Sequence, residues 1–529
     1  MAKILVLDNL SEEGVAVFRE EGFEVDVKPP QKPEELAAII GGYDGLVVRS
    51  GTTVTAEALA KADNLKVIGR AGVGTDNIDK DAATERGIVV MNTPGGNTIS
   101  TCEHTLALLF SLCRLIPAAH KTMAEGRWDR KLFNGCEVYG KTLGIIGLGR
   151  IGGEVAKRAQ AFEMKVIGFD PIMTQLKAEA LGVELVDLDT LYARSDFITI
   201  HAPKSPKTEN LIRTEQLKQM KDSCRIVNCA RGGIINEADL AQALKNGDIA
   251  GAALDVYTSE PFTDNPFIGL ENIVMTPHLA ASTDEAQLVV AIDVAKQMSE
   301  YLKTGAIVNA VNVPSLDAET RKALKPLLSL AERLGHFQSL YAQGTPQKIE
   351  IEYTGDLGVT DTYSITTGIL CGFLKPLVEN VNMVSAPAQL KAHGIECSET
   401  RSADNSDYSF EIGVSITTDQ GTFSLKGTLF HGSDPRICSV DGMRVDAKPE
   451  GHMLVCKNED KPSVVGNICT TIGQAGVNIA NLTLGRDCVG GNALVVFNLD
   501  QPLSDEALET LRGLDHVNSV GLVTLPEAK

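Results

Sequence analysis

Long apolar runs are missing from this sequence. Its 529 residues contain no uninterrupted hydrophobic stretch of the roughly 18 residues that a membrane-spanning helix requires. The first eight residues are too short for the core of a signal peptide, and they have the pattern of a buried strand instead. These absences predict a cytoplasmic protein.

Paired cysteines are also missing. The eleven cysteines are scattered, and none of them are spaced as C-x-x-C. A disulfide framework needs an even set, and a structural zinc site needs closely spaced ligands. The pattern therefore predicts reduced thiols and no metal site.

Positive charge is scarce. Lysine and arginine total 49 against 69 aspartates and glutamates, which gives a net charge of −20. Nucleic acids and anionic membranes bind through clustered basic residues, so neither is expected as a partner. An anionic substrate would need a locally basic site against this acidic background.

The chain is long enough for about three or four domains. Residues 1–97 and about 141–280 each alternate short apolar runs with helix-length segments, which predicts two doubly wound α/β lobes. Predicted strands are 4–7, 45–48, 67–69 and 89–91 in the first lobe, and 143–146, 166–169, 197–200, 225–228, 250–254 and 273–275 in the second. Helical periodicity over 99–119 and 284–302 predicts two long helices.

The remaining residues differ in kind. Residues 315–452 contain a helical stretch and then strands, interrupted at 398–407 by a polar segment that predicts an exposed turn. Residues 453–529 follow the order strand, helix, strand, strand, helix, strand, which predicts a small α+β domain. We therefore expect four units: 1–97 with 283–314, 98–282, 315–452 and 453–529.

A dinucleotide fingerprint lies in the second lobe. Gly147, Gly149 and Gly152 form G-x-G-x-x-G between a predicted strand and a predicted helix, and the next strand ends at Asp170, about 20 residues on. The helix N-terminus would bind the pyrophosphate, and Asp170 would bind the ribose hydroxyls. A carboxylate there repels a 2′-phosphate, so we expect NAD and not NADP in a Rossmann lobe.

Three further motifs follow predicted strands of this lobe. Residues 227–233 include Arg231, residues 255–261 include Glu260, and residues 276–280 include His278. Histidine exchanges protons near neutral pH, and a carboxylate partner fixes its tautomer. The planar fork of arginine matches a carboxylate.

Together with the fingerprint, these motifs resemble the signature of the D-isomer-specific 2-hydroxyacid dehydrogenases. The resemblance implies that Arg231 binds and polarises the substrate carboxylate, that His278 is the general acid/base, and that Glu260 is the partner of its imidazole. It also implies a cofactor site that extends to Val73, Arg150, Ile151, His201, Ala202, Pro203, Cys229, Ala230, Arg231, Asp255, His278 and Ala280. Val73 and Ala202 stand where some members have threonine, so hydroxyl contacts are lost there.

Basic residues also follow strands of the first lobe. Arg49-Ser50 and Arg70-Ala71-Gly72 each end a predicted strand, and Asn97 closes the loop after another. Because the ends of parallel strands converge, these residues predict a phosphate-binding cluster. Arg130 and Lys131 either reach this cluster, from the same chain or from a neighbouring subunit, or form a solvated surface pair.

The last 215 residues resemble parts of the long-form phosphoglycerate dehydrogenases. Residues 427–430 and 441–442 are similar to their intervening domain, and residues 476–480 and 485–486 are similar to a ferredoxin-like ACT domain. The resemblance implies oxidation of D-3-phosphoglycerate to 3-phosphooxypyruvate in serine synthesis, and a homotetramer or at least a homodimer. L-serine would bind at Asn478, unless the ACT module serves assembly alone.

Two other functions stay open at this point. One is a glyoxylate or hydroxypyruvate reductase of the same family, and the catalytic trio is also compatible with broader substrates that include 2-hydroxyglutarate. The other is an NAD-sensing interaction protein that resembles the dehydrogenase-like corepressors. Turnover and the ACT-like tail distinguish the two classes.

Overall fold

Four β-sheets organise the chain. The computed structural model describes residues 1–316, 318–357, 362–379, 381–402 and 407–526. Two all-parallel sheets of five and seven strands are followed by a mixed sheet of six strands and an antiparallel sheet of four. This confirms the predicted fold class, in which two doubly wound lobes precede two α+β units.

The N-terminal lobe has the strand order β2-β1-β3-β4-β5. Strands β1, β3, β4 and β5 are mostly apolar and buried, as expected for a parallel sheet with helices on both faces. The elements are β1 (Lys3–Val6), α1 (Glu12–Glu20), β2 (Glu24–Val27), α2 (Pro33–Ile39), β3 (Gly45–Val48), α3 (Ala56–Leu59), β4 (Val67–Arg70), α4 (Lys80–Glu85) and β5 (Val89–Met91). The edge strand β2 was not predicted, because only part of it is buried.

The second lobe has the strand order β12-β11-β10-β9-β6-β7-β8. Its elements are α5 (Thr98–Arg114), α6 (Ile116–Ala124), β6 (Thr142–Ile146), α7 (Arg150–Ala161), β7 (Lys165–Phe169), α8 (Gln175–Ala180), β8 (Glu184–Leu185), α9 (Leu188–Arg194), β9 (Phe197–Ile200), α10 (Thr214–Leu217), β10 (Arg225–Asn228), α11 (Glu237–Asn246), β11 (Gly251–Leu254) and β12 (Ile273–Met275). The two-residue strand β8 was also not predicted.

The single helix predicted over 99–119 is wrong. Leu115 adopts a left-handed conformation (φ 52°), and it separates α5 from α6. Pro117 has no N–H to donate to the carbonyl of Cys113 four residues earlier. That carbonyl accepts a hydrogen bond from the backbone N–H of Cys136 instead, at 3.0 Å.

Helices α5 and α6 are also the apolar pair to consider when asking whether any helix could span a membrane. Across the described residues, no helix is long and apolar enough by itself to cross a bilayer. α5 and α6 meet the length and composition criteria together, as a pair bent by 66°.

The chain crosses between the two lobes twice. The first crossing precedes α5, and the second precedes α12 (Asp284–Thr304), whose N-terminus is capped by the Thr283 hydroxyl. α12 returns to the first lobe, where Val290, Val294 and Met298 pack in the same core as Ile4 and Val67. The carboxyl ends of the strands in both lobes therefore border one cleft.

The two C-terminal sheets share a core. The six-stranded sheet has the order β14-β13-β15-β16-β17-β18, and the last sheet has the ferredoxin-like order β20-β21-β19-β22. The elements are α13 (Ala318–Tyr341), β13 (Pro346–Gly355), α14 (Tyr363–Leu374), α15 (Ala386–Ala392), β14 (Glu396–Ser402), β15 (Phe410–Thr418), β16 (Gly421–Phe430), β17 (Asp434–Val440), β18 (Met443–Ala447), β19 (His452–Glu459), α16 (Val464–Gln474), β20 (Ile479–Arg486), β21 (Asn492–Leu499), α17 (Asp505–Arg512) and β22 (Val517–Thr524). Leu334 and Phe337 of α13 pack in one cluster with Val455 and Val496 of the last sheet.

The exposed turn predicted over 398–407 is wrong for its first part. Residues 398–402 belong to β14, which pairs in parallel with β13. Residues 403–406 lie outside the described part of the chain. β14 is an edge strand made mostly of polar residues, so the sequence lacks the apolar alternation that would have predicted a strand there.

Candidate active site

A cleft of about 600 Å³ separates the two lobes. It collects side chains from loops that are distant in sequence, because the strand ends of both sheets face it. The predicted residues that line it are Arg49, Ser50, Arg70, Gly72, Val73, Asn97, Arg231, Glu260 and His278. The structure thus brings together the predicted catalytic trio and most of the predicted substrate cluster.

His278 and Glu260 form a hydrogen-bonded pair in this cleft. The Nδ1 atom of His278 lies 2.7 Å from Oε2 of Glu260, and Oε1 of Glu260 accepts from the Tyr257 backbone N–H at 3.0 Å. Burial raises the pKa of Glu260, but the hydrogen bonds from His278 and Tyr257 outweigh it, so the net pKa is below its ordinary value. An ionised carboxylate only accepts, so Nδ1 carries the proton and Nε2 is left as a base.

Arg231 lies in the turn after β10. The Asn228 side chain shapes this turn, because it donates to the Arg231 carbonyl and accepts from the Ala230 N–H, both at 3.0 Å. The guanidinium Nε donates to Oδ2 of Asp76 at 3.0 Å, and Asp76 belongs to the opposite lobe. A Cβ on Gly74 would lie 2.1 Å from the Arg231 Nη2 atom, so a larger residue there would displace the guanidinium. The pair joins the two walls of the cleft.

Arg70 is a half-buried cation that has no carboxylate within ion-pair distance among the described residues. Its Nη1 donates to the Ala71 carbonyl at 3.2 Å, whereas its Nε is buried with no hydrogen-bond partner. Burial, followed by the charges of Arg231 and Arg49, lowers the pKa of Arg70 to about 10. A buried polar group without a partner is costly, and an anion in the cleft would supply the missing acceptor.

The glycine loop has the shape that a pyrophosphate requires. Gly147 has a φ of 94°, and a Cβ on Gly152 would lie 2.0 Å from the Gly147 carbonyl. A Cβ on Gly149 would meet nothing within 4 Å, so the loop opens outward there, and no side chain caps the N-terminus of α7. Asp170 accepts hydrogen bonds from the N–H groups of Leu148 (2.9 Å) and Ile172 (3.0 Å), which fixes its carboxylate beside the loop.

The other residues predicted for the cofactor follow adjacent strands of the same sheet. Arg150 and Ile151 begin α7, residues 201–203 follow β9, Cys229 and Ala230 follow β10, Asp255 follows β11, and Ala280 follows β12. Burial lowers the pKa of His201 to about 4, and its Nε2 bonds the Thr199 hydroxyl at 3.0 Å. Burial raises the pKa of Cys229 to about 12. Both are therefore neutral near pH 7.

Three residues of the predicted substrate and regulatory sites lie away from the cleft. Arg130 and Lys131 are exposed in a short 3₁₀ turn and do not line the cleft of their own chain. Asn478 is exposed between α16 and β20, and its Nδ2 donates to Oδ2 of Asp500 at 2.8 Å.

Several residues at the site were not predicted from the sequence. Asp76, Asn77 and Lys204 line the cleft, and His104 bonds the buried Asp255. Lys204 follows the predicted loop 201–203 directly, so that loop could have indicated it. Asp76 and His104 gave no local signal, since each acts on a partner more than 150 residues away.

Family models match two parts of the chain. The D-isomer specific 2-hydroxyacid dehydrogenase NAD binding domain matches residues 106–280, and the D-3-phosphoglycerate dehydrogenase intervening domain matches residues 323–441. The predicted cofactor, NAD, is thereby confirmed.

Curated relatives match over nearly the full length. The chain is 44% identical over 527 residues to D-3-phosphoglycerate dehydrogenase from Archaeoglobus fulgidus, with 99% of this chain and 100% of the relative covered. It is 43% identical to the protein of the same name from Methanocaldococcus jannaschii, with the same coverage.

A solved structure resembles the two α/β lobes. It is D-lactate dehydrogenase from Aquifex aeolicus complexed with NAD and lactic acid, which has a TM-score of 0.53 and 26% identity. The alignment covers 59% of this chain and 100% of that one. The two C-terminal units therefore lie outside this similarity.

Proposed function

The chain belongs to the D-3-phosphoglycerate dehydrogenase family of D-isomer-specific 2-hydroxyacid dehydrogenases, and we propose that it oxidises D-3-phosphoglycerate to 3-phosphooxypyruvate with NAD. This is the first step of phosphorylated L-serine synthesis. One observation supports the substrate most directly: Arg70, whose buried Nε has no hydrogen-bond partner, lies in the same cleft as the His278–Glu260 pair. A 2-hydroxy acid without a phosphate would not require a second cationic site.

We assign the two anionic ends of the substrate to different walls of the cleft. Arg231, at the end of β10, would bind the carboxylate and polarise the reacting carbon. The phosphate would be bound on the opposite wall by Arg49, Ser50, Arg70, Gly72 and Asn97. Lys204 adds a further cation at the rim, so the cleft is locally basic in an acidic protein.

The proton leaves the substrate through His278. Its Nε2 accepts the C2 hydroxyl proton, and the resulting imidazolium is stabilised by Glu260 at Nδ1, 2.7 Å away. The electron pair of the broken C–H bond departs as hydride while the C2–O bond becomes a carbonyl. When held by the residues of the second lobe, NAD would supply the hydride acceptor.

The residues of the second lobe fit this cofactor. The glycine loop and the free N–H groups of α7 would hold the pyrophosphate, with Arg150 and Ile151 beside it, and Asp170 would bind the ribose. The nicotinamide half of NAD would be bordered by residues 201–203, Cys229, Ala230, Asp255, Ala280 and Val73. Closure of the lobes about the two crossings would exclude water from the hydride path.

The test is NADH formation from NAD and D-3-phosphoglycerate, compared with D-glycerate. We expect turnover that requires the phosphate and that falls by at least about a thousandfold in His278→Ala. His120→Ala is the matched control, because His120 is exposed on α6 outside the cleft. Equal turnover of D-glycerate would favour a hydroxypyruvate reductase, and no turnover of either would favour an interaction protein.

We propose further that the protein is a cytoplasmic homotetramer, with a homodimer as the minimum. The exposed apolar side chains of Trp128 (79%), Leu132 (69%) and Tyr139 (65%) surround Arg130 and Lys131 in sequence, which supports burial of this segment by a neighbouring subunit. Arg130 and Lys131 would then reach the phosphate of that subunit. A monomer in sedimentation experiments would contradict this.

Serine feedback is proposed for the C-terminal unit, which has the ferredoxin-like strand order. Asn478 would contact L-serine, and serine would act only through different affinities for two states of the enzyme. A serine titration into the millimolar range tests this. Flat activity would favour an assembly role alone.

A further inference from the structure

Helix α5 supports the loop that carries His278. One face of the helix contains Thr101 and His104, which are three residues apart and therefore adjacent on its surface. The Thr101 hydroxyl lies 3.5 Å from the Ala280 carbonyl oxygen. The Nε2 atom of His104 lies 3.2 Å from both the Asp255 Oδ1 and the Thr276 hydroxyl oxygen.

Asp255 holds both ends of the turn at 276–280. Its side chain is fully buried, at 0% exposure. Besides the bond from His104, Oδ1 accepts from the Thr276 hydroxyl (2.6 Å) and the Leu279 N–H (2.8 Å), and Oδ2 accepts from the Ala280 N–H (2.9 Å). These contacts lie on both sides of His278 in sequence, so the carboxylate acts as a clamp on the turn that presents this residue.

The turn requires support because His278 has a φ of 56°. A residue with a β-carbon rarely adopts this left-handed conformation, so surrounding contacts must maintain it. Among the described residues, the His278 N–H makes one backbone hydrogen bond within this turn, to the Thr276 carbonyl at 3.1 Å. The position of the imidazole therefore depends on the Asp255 clamp.

We propose that His104 is a positioning residue for the catalytic base. It donates from Nε2 to the buried carboxylate of Asp255, and Asp255 in turn fixes the turn of His278 opposite Glu260 and the substrate. Within the described chain, every other donor to Asp255 lies in the segment that Asp255 clamps. Among the described residues of α5, the helix that follows the first crossing between the lobes, His104 is the one that bonds the Asp255 carboxylate directly, whereas Thr101 contacts only the Ala280 carbonyl. The inference rests on the proposed dehydrogenase function.

The experiment compares His104→Leu with His104→Gln in the full-length enzyme. Leucine removes the donor, whereas the glutamine amide can replace Nε2–H. We expect kcat to fall about tenfold in His104→Leu, with the KM for D-3-phosphoglycerate within about twofold of wild type, and to recover mostly in His104→Gln. The control is His120→Leu on α6, which should leave kcat unchanged. Circular dichroism and melting temperature establish that the variants are folded.

A double-mutant cycle with Asp255→Asn tests whether His104 acts through Asp255. The loss caused by His104→Leu should nearly vanish when Asp255 is already replaced. Additive losses would overturn the proposal, as would a folded His104→Leu enzyme with wild-type kcat, or one in which only the KM values rise. If the wild-type protein does not oxidise D-3-phosphoglycerate, the proposed function fails. If the wild-type protein is active and His104→Leu has the same kcat, only the role of His104 fails.

Discussion

Replacement of Arg70 should separate activity from stability. Arg70→Met keeps an unbranched side chain of similar reach but removes the charge that faces the cleft. In the free protein Arg70 is half-buried, its Nε has no partner, and it lies close enough to Arg231 and Arg49 for both to lower its pKa. The same charge that should attract a phosphate therefore disfavours the folded state.

The magnitudes of the two effects follow from this geometry. The fall in the pKa of Arg70 from 12.5 to about 10 corresponds to about 3 kcal/mol, and partial solvent access reduces this to about 1–3 kcal/mol. Because the folded-state pKa is depressed, the unfolded state binds more protons between pH 10 and 12.5. The cost is thus present in full at neutral pH and is relieved only as the pH rises through 10. Loss of the charged hydrogen bonds to phosphate should lower kcat/KM about a hundredfold.

The assay measures NADH formation and thermal unfolding on the same preparations. We expect Arg70→Met to lose activity toward D-3-phosphoglycerate, to change less than about threefold on D-glycerate, and to melt at a higher temperature, by about 2–4 °C per kcal/mol. Arg86→Met is the control, because Arg86 belongs to the same lobe but pairs with Asp63 at 3.5 Å, outside the cleft. An equal loss on both substrates, or a lower melting temperature, would refute the reasoning.

Two further substitutions test the His278–Glu260 pair and the preference for NAD over NADP. Glu260→Gln should lower kcat about a hundredfold, because a neutral amide no longer stabilises the imidazolium of His278. The pKa of the Glu260 carboxyl is lowered in the folded state, so its stabilising effect is complete above pH 4.5 and is lost as the pH falls through the folded-state pKa. The melting temperature of Glu260→Gln should therefore fall less steeply with decreasing pH than that of the wild type. An unchanged acid dependence of the melting temperature would contradict the prediction. Asp170→Ala should reduce the preference for NAD over NADP at least about tenfold in kcat/KM, and a wild-type enzyme that prefers NADP would show the assignment to be wrong.

Much of the fold could be predicted because its signals are local. Apolar runs such as 67–69 and 89–91 lie in buried parallel strands, whose faces are both covered, so a continuous run is enough to identify them. The strands β2 and β8 were not predicted because both are short, contain both polar and apolar residues, and have no fully buried residue. The break at Leu115 was missed, although Pro117 two residues later signals it, because the apolar period continues across the break.

The candidate site divides in the same way. Local residue patterns were enough to locate the glycine loop and the turns of Arg231, Glu260 and His278, because the residue types of each are set within a few positions. The pairing of Asp76 with Arg231 across the cleft and the bond from His104 to Asp255 depend on how the chain folds. These contacts join residues 155 and 151 positions apart, and they arise from the meeting of two sheets and a helix, which no local spacing encodes.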